Sequence, residues 1–89
     1  MAIVRLRAPL SQRAGGGTEH RLAGATVGEV LKGLEARYPT IDGWILDDQD
    51  HVRPHVNVFV NGERRREDAP VSPNDVLHVL PSISGGSRR

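Results

Sequence analysis

The hydrophobic positions of this chain change their spacing several times, and each change marks an element. Ile3, Val4, Leu6 and Leu10 stand among Arg5, Arg7 and Pro9, a near-alternating pattern that suits a half-buried strand. Gly15-Gly16-Gly17 interrupts it, and residues 18–22 read as the returning strand of a hairpin with a loose connection. As a phosphate cradle those glycines lack the Gly-Lys-Ser/Thr and the helix that must follow, so they read as a flexible loop. From Thr26 the period lengthens. Val27, Val30, Leu31, Leu34 and Tyr38 recur at the spacing of one helical face, with Glu29, Lys32, Glu35 and Arg37 largely off it. Thr26 and Glu29 have the spacing of a capping box, and Pro39 ends the helix because the residue before a proline avoids helical dihedrals.

Residues 40–54 are less regular, with Ile41, Trp44, Ile45 and Leu46 as apolar anchors. A short helical turn there is expected to tuck Trp44 against the edge of the domain. Alternation returns over residues 55–60, with Val56, Val58 and Val60 on one face and Asn57 and Phe59 on the other. Asn61-Gly62 is the preferred pair for a type I′ turn, which needs positive φ at both positions. Residues 63–66 then return as a short, charged strand. Pro70 and Pro73 punctuate a loop, Asn74-Asp75 forms a turn, and residues 76–80 make a last strand that is partly apolar on both faces. After Pro81 the chain reads Ser-Ile-Ser-Gly-Gly-Ser-Arg-Arg, which has nothing to pack with. The expected organisation is one domain over residues 1–81 and a flexible tail over 82–89. One helix must bury its stripe against one face of a mixed sheet, an α+β two-layer roll, with the first and last strands as its central neighbours.

Composition removes function classes more than it adds them. At 89 residues the chain has room for one modest core. A net charge of +1 shows no commitment to nucleic acid or to a membrane surface. There are no cysteines, so disulfides and thiolate zinc sites are excluded. No apolar stretch approaches the ~18 residues of a membrane span, and a cytoplasmic location is expected. His20, His51, His55 and His78 fit no helix-borne zinc motif. Asp47, Asp48 and Asp50 lack the glycine and distal glutamate of a calcium loop. Asp75 and His78 are close in sequence but have no recognisable nucleophile beside them. No bound metal or cofactor is expected.

Two surface features call for a role. If the valines of residues 55–60 face the helix, Phe59 is exposed on the open side of the sheet, where an aromatic can anchor a partner or cover an edge. Arg64, Arg65 and Arg66 can steer an acidic partner or protect an edge strand. As a nucleic-acid patch the run is poor, since Glu63, Glu67 and Asp68 flank it.

The order of elements, together with Thr26-Val27-Gly28-Glu29-Val30-Leu31, Tyr38-Pro39, Val58-Phe59-Val60-Asn61-Gly62-Glu63, Asn74-Asp75-Val76-Leu77 and Leu80-Pro81 leading to Gly85-Gly86, resembles the β-grasp (ubiquitin-like) ThiS/MoaD sulfur carriers. That family includes the small subunit of molybdopterin synthase and the carriers of thiamine and cysteine biosynthesis. The resemblance runs from Ile3 to Gly86. It implies a protein co-substrate that is not itself an enzyme. An E1-like adenylyltransferase would activate the Gly86 carboxylate with ATP, sulfur transfer would make a thiocarboxylate, and a sulfur-acceptor synthase would consume it. Gly85, without a side chain, would thread a narrow channel, and Phe59, Arg64, Arg65, Ile83 and Ser84 are the candidate partner contacts. Family carriers in working form end at the glycine pair, whereas here Ser87-Arg88-Arg89 follows. The chain is therefore expected to be a precursor, trimmed after Gly86 by a protease of the zinc-dependent JAMM type. Two other readings use the same residues: a ubiquitin-like modifier joined to lysines, and a β-grasp interaction module that never activates its tail.

Overall fold

The computed structural model describes residues 1–7, 10–15 and 17–81. Alternation near the start is realised as β1 (Ala2–Leu6), which buries Ala2, Val4 and Leu6. The strand does not continue to Leu10 as expected. One turn of helix, α1 (Leu10–Arg13), follows instead. A short apolar run cannot by itself distinguish strand from helix, and Leu10 and Ala14, four apart, are both buried. The turn is closed by Ser11 N–H donating to the Arg7 carbonyl and Ala14 N–H to that of Leu10. β2 (Glu19–Leu22) then returns antiparallel to β1.

The main helix is α2 (Val27–Arg37). Thr26 Oγ1 accepts from Glu29 N–H at 3.2 Å, and Glu29 Oε1 accepts from Ala25 N–H at 2.9 Å, a box displaced by one residue from the usual reciprocal pair. Val27 and Gly28 N–H donate to the carbonyls of Ala69 and Glu67, so the first turn is satisfied by a neighbouring loop. That approach explains a glycine inside the helix: a Cβ on Gly28 would stand 3.2 Å from the Glu67 carbonyl oxygen. Val27, Val30, Leu31 and Leu34 are fully buried, each leucine worth about 1.5–3 kcal/mol of removed apolar surface. Tyr38 caps the helix before Pro39, which opens a 3-10 turn, Pro39–Ile41.

One expectation for residues 35–46 is overturned. Glu35, placed off the apolar stripe, is buried, and its Oε2 accepts from the N–H groups of both Ile45 and Leu46 at 3.0 Å. Those two amides lie in an irregular segment with no ladder to join, and a carboxylate from the helix takes the place of one. Trp44, expected against the edge of the domain, follows the short helical turn, 40 % exposed and with Arg13 over its ring. Ile41, Ile45 and Leu46 fill the core beside it.

β3 (Val56–Val60), β4 (Glu63–Arg65) and β5 (Val76–Pro81) complete a sheet of order β2-β1-β5-β3-β4. Asn61 and Gly62 take φ of 50° and 90°, the double positive φ that a two-residue hairpin turn demands. β1 and β5 are parallel neighbours at the centre, and the other pairs are antiparallel. Val56, Val58, Val60, Leu77 and Val79 are buried with the β1 residues and the helical stripe. The result is a β-grasp roll, with one face of a mixed sheet covered by α2. No helix among the described residues is long and apolar enough to cross a membrane.

Candidate functional site

The topology fixes where the chain leaves the fold. β5 lies between β1 and β3, with Leu6 opposite Val79 and Val56 opposite Pro81. The chain therefore departs from the middle of the sheet, at the end where β1 finishes and β3 begins. Ile83, Ser84, Gly85 and Gly86, and the Ser87-Arg88-Arg89 extension, lie outside the described residues. Five residues carry the chain from Pro81 to Gly86, a reach of about 17 Å at ~3.3–3.6 Å each.

The second part of the site is the open face. Pairing partners across the sheet give a row of Glu19, Arg5, His78, Phe59 and Arg64. The first four alternate with buried neighbours and so point away from α2. Arg64, in a strand exposed throughout, shares their side as the partner of Phe59. Phe59 and His78 are half-buried, while Arg5 and Arg64 are exposed. Phe59 is thus on the open side as its spacing predicts, though flanking groups cover part of it. Arg64 and Arg65 are separated by the pleat. Arg64 stands opposite Phe59, whereas Arg65 stands opposite core-facing Val58 and pairs with Glu63 at 2.7 Å. Arg64 and Phe59 are brought together and Arg65 stands on the other side of the pleat, while both arginines border an open groove of about 890 Å³ that Asp68 and Pro70 also line.

This face is held in register from below. Asp75 accepts from Ser72 N–H at 2.8 Å and from the Asn61 amide at 3.0 Å. Those donors, the Ser72 backbone first, hold its carboxyl below the ordinary value. Asn61 in turn exchanges two hydrogen bonds with the backbone of Val76, N–H to carbonyl at 2.8 Å and side-chain oxygen from N–H at 3.0 Å. The turn after Phe59 is thereby tied to the start of the strand that carries His78.

A third feature was not singled out by periodicity. The Arg13 guanidinium lies 4.2 Å from the centroid of the exposed Trp44 ring, a cation–π pair. Arg53 Nε donates to the Gly43 carbonyl, and Thr40 Oγ1 to that of Arg13. The contacts made by Arg13 reach across β2 and α2 to Thr40 and Trp44, and it is α1, which the alternation near the start did not reveal, that places Arg13 over the ring. His20 was seen only as one of four histidines. It is buried and accepts or donates at Nδ1 to Tyr38 OH, 3.2 Å away, bracing the end of α2 against β2. Among the described residues no three His, Asp or Glu side chains gather as a metal site.

The model describing the ThiS family matches residues 4–86, and so ends at the second glycine. Small archaeal modifier protein 3 of Haloferax volcanii is 38 % identical over 66 residues, covering 70 % of this chain and 71 % of its own. The sulfur carrier protein CysO of Mycobacterium tuberculosis is 30 % identical over 83 residues, 86 % of this chain and 89 % of its own. Among solved structures, the BexX/CysO complex of Amycolatopsis orientalis matches with a TM-score of 0.85 at 28 % identity, over 97 % of this chain and 100 % of that one.

Proposed function

This chain belongs to the ThiS family, and on that premise we propose that it is a sulfur carrier whose working atom is the carboxyl carbon of Gly86. The observation that carries the reading is the extent of the family match, which runs to Gly86 and leaves Ser87, Arg88 and Arg89 beyond it. A carboxylate is a poor acyl donor, so the first step is adenylation by an E1-like partner that consumes ATP. The carboxylate oxygen attacks the α-phosphorus and pyrophosphate leaves. Sulfide equivalent from a sulfurtransferase then displaces AMP, giving the thiocarboxylate that a synthase draws on for cofactor, cysteine or natural-product assembly. Before any of this the amide after Gly86 must be hydrolysed, a task suited to a JAMM-type metalloprotease. This chain binds no cofactor in the scheme, and an ATP-dependent partner places it in the cytoplasm.

The fold supports the scheme by delivering the tail from the centre of the sheet rather than from an edge, with Phe59 and Arg64 beside each other on the open face for the partner to grip. Gly85 and Gly86 bring no side chain into a channel; Ile83 and Ser84 are the contacts nearest the folded body. The test is intact mass. The 1–86 form, incubated with ATP, the activating enzyme and a sulfur source from the same cell, is expected to gain the mass of one oxygen exchanged for sulfur. An unchanged mass with every candidate activating enzyme removes the proposal. The relative named as a modifier favours a second reading, in which the same activated glycine forms an amide with lysines of other proteins. Conjugates of higher mass that survive thiol and hydroxylamine treatment would identify it.

A further inference from the structure

An open sheet ends in two edge strands, here β2 and β4, and the ladder tells which backbone groups each leaves unpaired. Leu6 N–H donates to the Thr18 carbonyl at 2.8 Å, and Ile3 N–H to that of Asp75 at 2.8 Å. Even-numbered residues of β1 therefore turn their backbone groups to β2, and odd-numbered ones to β5. With Val4 opposite His20 and Arg5 opposite Glu19, His20 bonds to β1, while the N–H and carbonyl of Glu19 and Arg21 point outward. Among the described residues, no loop backbone group takes them up. The side chains of Glu19 and Arg21 share the open face, alternating with buried His20 and Leu22. Arg21 stands opposite Ile3 and has no ion pair among the described residues. Glu19 pairs loosely with Arg5, 3.8 Å away, and both remain about half exposed. Both ring nitrogens of His20 are already bonded, to the Gly17 carbonyl and the Tyr38 hydroxyl. Beside the strand lies an open recess of about 500 Å³, which Gly15, Arg37 and Tyr38 also line.

We propose that β2 is the seam of a symmetric dimer, in which a second copy of this chain lays its own β2 antiparallel and the two sheets become one. Charge and backbone register select that occupant together. Pairing centred on His20 sets Glu19 opposite Arg21 of the copy, and Arg21 opposite its Glu19. These are the residues whose backbone groups point outward, so each pair exchanges two hydrogen bonds. Each pair also joins an acid to an arginine on the same face. A two-fold axis needs a self-complementary patch, and Glu19-His20-Arg21 is one. The far edge fails the same test. Asn61 N–H donates to Val76 and the Val60–Glu63 pair closes the two-residue turn, so in β4 it is Arg64 that points outward. Pairing centred there would set Arg64 against its own copy, while Glu63 and Arg65 already hold each other at 2.7 Å. The other cations near β2 are Arg5, beside Glu19, and Arg37, which lies over the Tyr38 ring at 5.9 Å. A seam this short, with those two cations beside it, makes a weak and reversible dimer. The Phe59 rings would stand seven strand spacings apart, about 34 Å at ~4.8 Å each, so each copy keeps its own partner surface. The pairing is independent of trimming, activation and sulfur transfer.

Sedimentation velocity and amide hydrogen exchange on the full 1–89 chain test the seam. Up to about 1 mM, the sedimentation coefficient is expected to rise toward that of a dimer, with the Glu19 and Arg21 amides exchanging more slowly as it does. E19R and R21E each set like charges opposite one another at both pairs, and each is expected to weaken dimerisation roughly tenfold or more. Mixed in equal amounts, the two variants regain both ion pairs in a heterodimer. The double variant E19R/R21E regains them with its own copy. The equal mixture and the double variant are both expected to associate as the wild type does. Neither residue turns its side chain into the core, so each variant should keep the wild-type circular dichroism spectrum. A wild-type chain that stays monomeric at that concentration overturns the proposal, including one whose β2 takes a strand from a different protein. So does a dimer that both single exchanges leave intact, that the equal mixture fails to restore, or whose protected amides lie in β4.

Discussion

On the covered face of the sheet Val4, Val58, Leu77 and Val79 are at most 1 % exposed, while one residue further along the same strands Arg5, Phe59 and His78 reach solvent. The backbone is shared, so the difference lies in what each face must satisfy. Opposite α2, a side chain needs only apolar volume that interlocks with Val27, Val30, Leu31 and Leu34. On the open face it needs a partner, and the row from Glu19 to Arg64 offers charge, an imidazole and one aromatic ring instead of a continuous apolar surface. Stability is stored on one side of the pleat and recognition on the other.

Neighbouring residues of β3 give the sharpest way to break that comparison. V58D puts an unpaired carboxylate among Val79, Leu77 and the helix, at a cost of about 4 kcal/mol or more. Against a total stability of ~5–15 kcal/mol, cooperative thermal unfolding should be lost or shifted far down. F59D, one position away, should keep a native circular dichroism spectrum and lose no more than about 1 kcal/mol. Equal losses from the two would mean that the open face is not open.

Helix α2 repeats the contrast between two charged residues three apart. E35A strands the buried N–H groups of Ile45 and Leu46, at about 1–3 kcal/mol for each donor, and a denaturant midpoint should fall accordingly. K32A removes only an exposed pair with Asp50 at 3.0 Å, worth ~0–1 kcal/mol.

Glu35 also shows where the sequence was legible and where it was not. The stripe on α2, the cap at Thr26, the Asn61-Gly62 turn and the alternation of β3 were readable because each is a local rule whose partners lie within four residues. The role of Glu35 depends on amides ten and eleven positions away, in a segment with no period. Leu10 failed for a related reason: four residues are too few for a strand and a helical turn to differ in pattern. The partner of Trp44 was hidden with it, since the Arg13 that stacks on the ring rides on that turn. Of the site, the glycine pair and the facing of Phe59 were visible. The separation of Arg64 from Arg65 needed the register of β4 on β3.

Partner affinity sharpens the comparison within β4 itself. R64E and R65E make the same charge change on opposite sides of the pleat. If the activating partner grips the open face, R64E should weaken binding by roughly tenfold or more, as loss of an interface arginine does. R65E should change it by less than about threefold, both with unaltered melting temperatures. F59A belongs with R64E in affinity while costing about 1 kcal/mol in stability. Titration calorimetry with the activating enzyme measures all three.

The smallest effect concerns the tie beneath the open face. Asp75 has its carboxyl held below the ordinary 3.8 by the Ser72 N–H and the Asn61 amide. A depressed folded-state value means that the ionised group stabilises the fold at every pH above the ordinary value. That contribution begins to fade as pH falls toward 3.8 and is gone once pH has passed below the lowered folded value. D75N keeps an oxygen to accept from Ser72 but cannot titrate. Its stability should therefore depend less steeply on pH than the wild type in that acid window, while the two curves run parallel near neutrality. Urea midpoints measured across the acid range and at pH 7 make the comparison. A wild-type slope undiminished in D75N would assign the acid sensitivity to Asp47 and Glu67, whose carboxyls are held low by other backbone N–H groups, and would leave the tie between Asn61 and Val76 independent of charge.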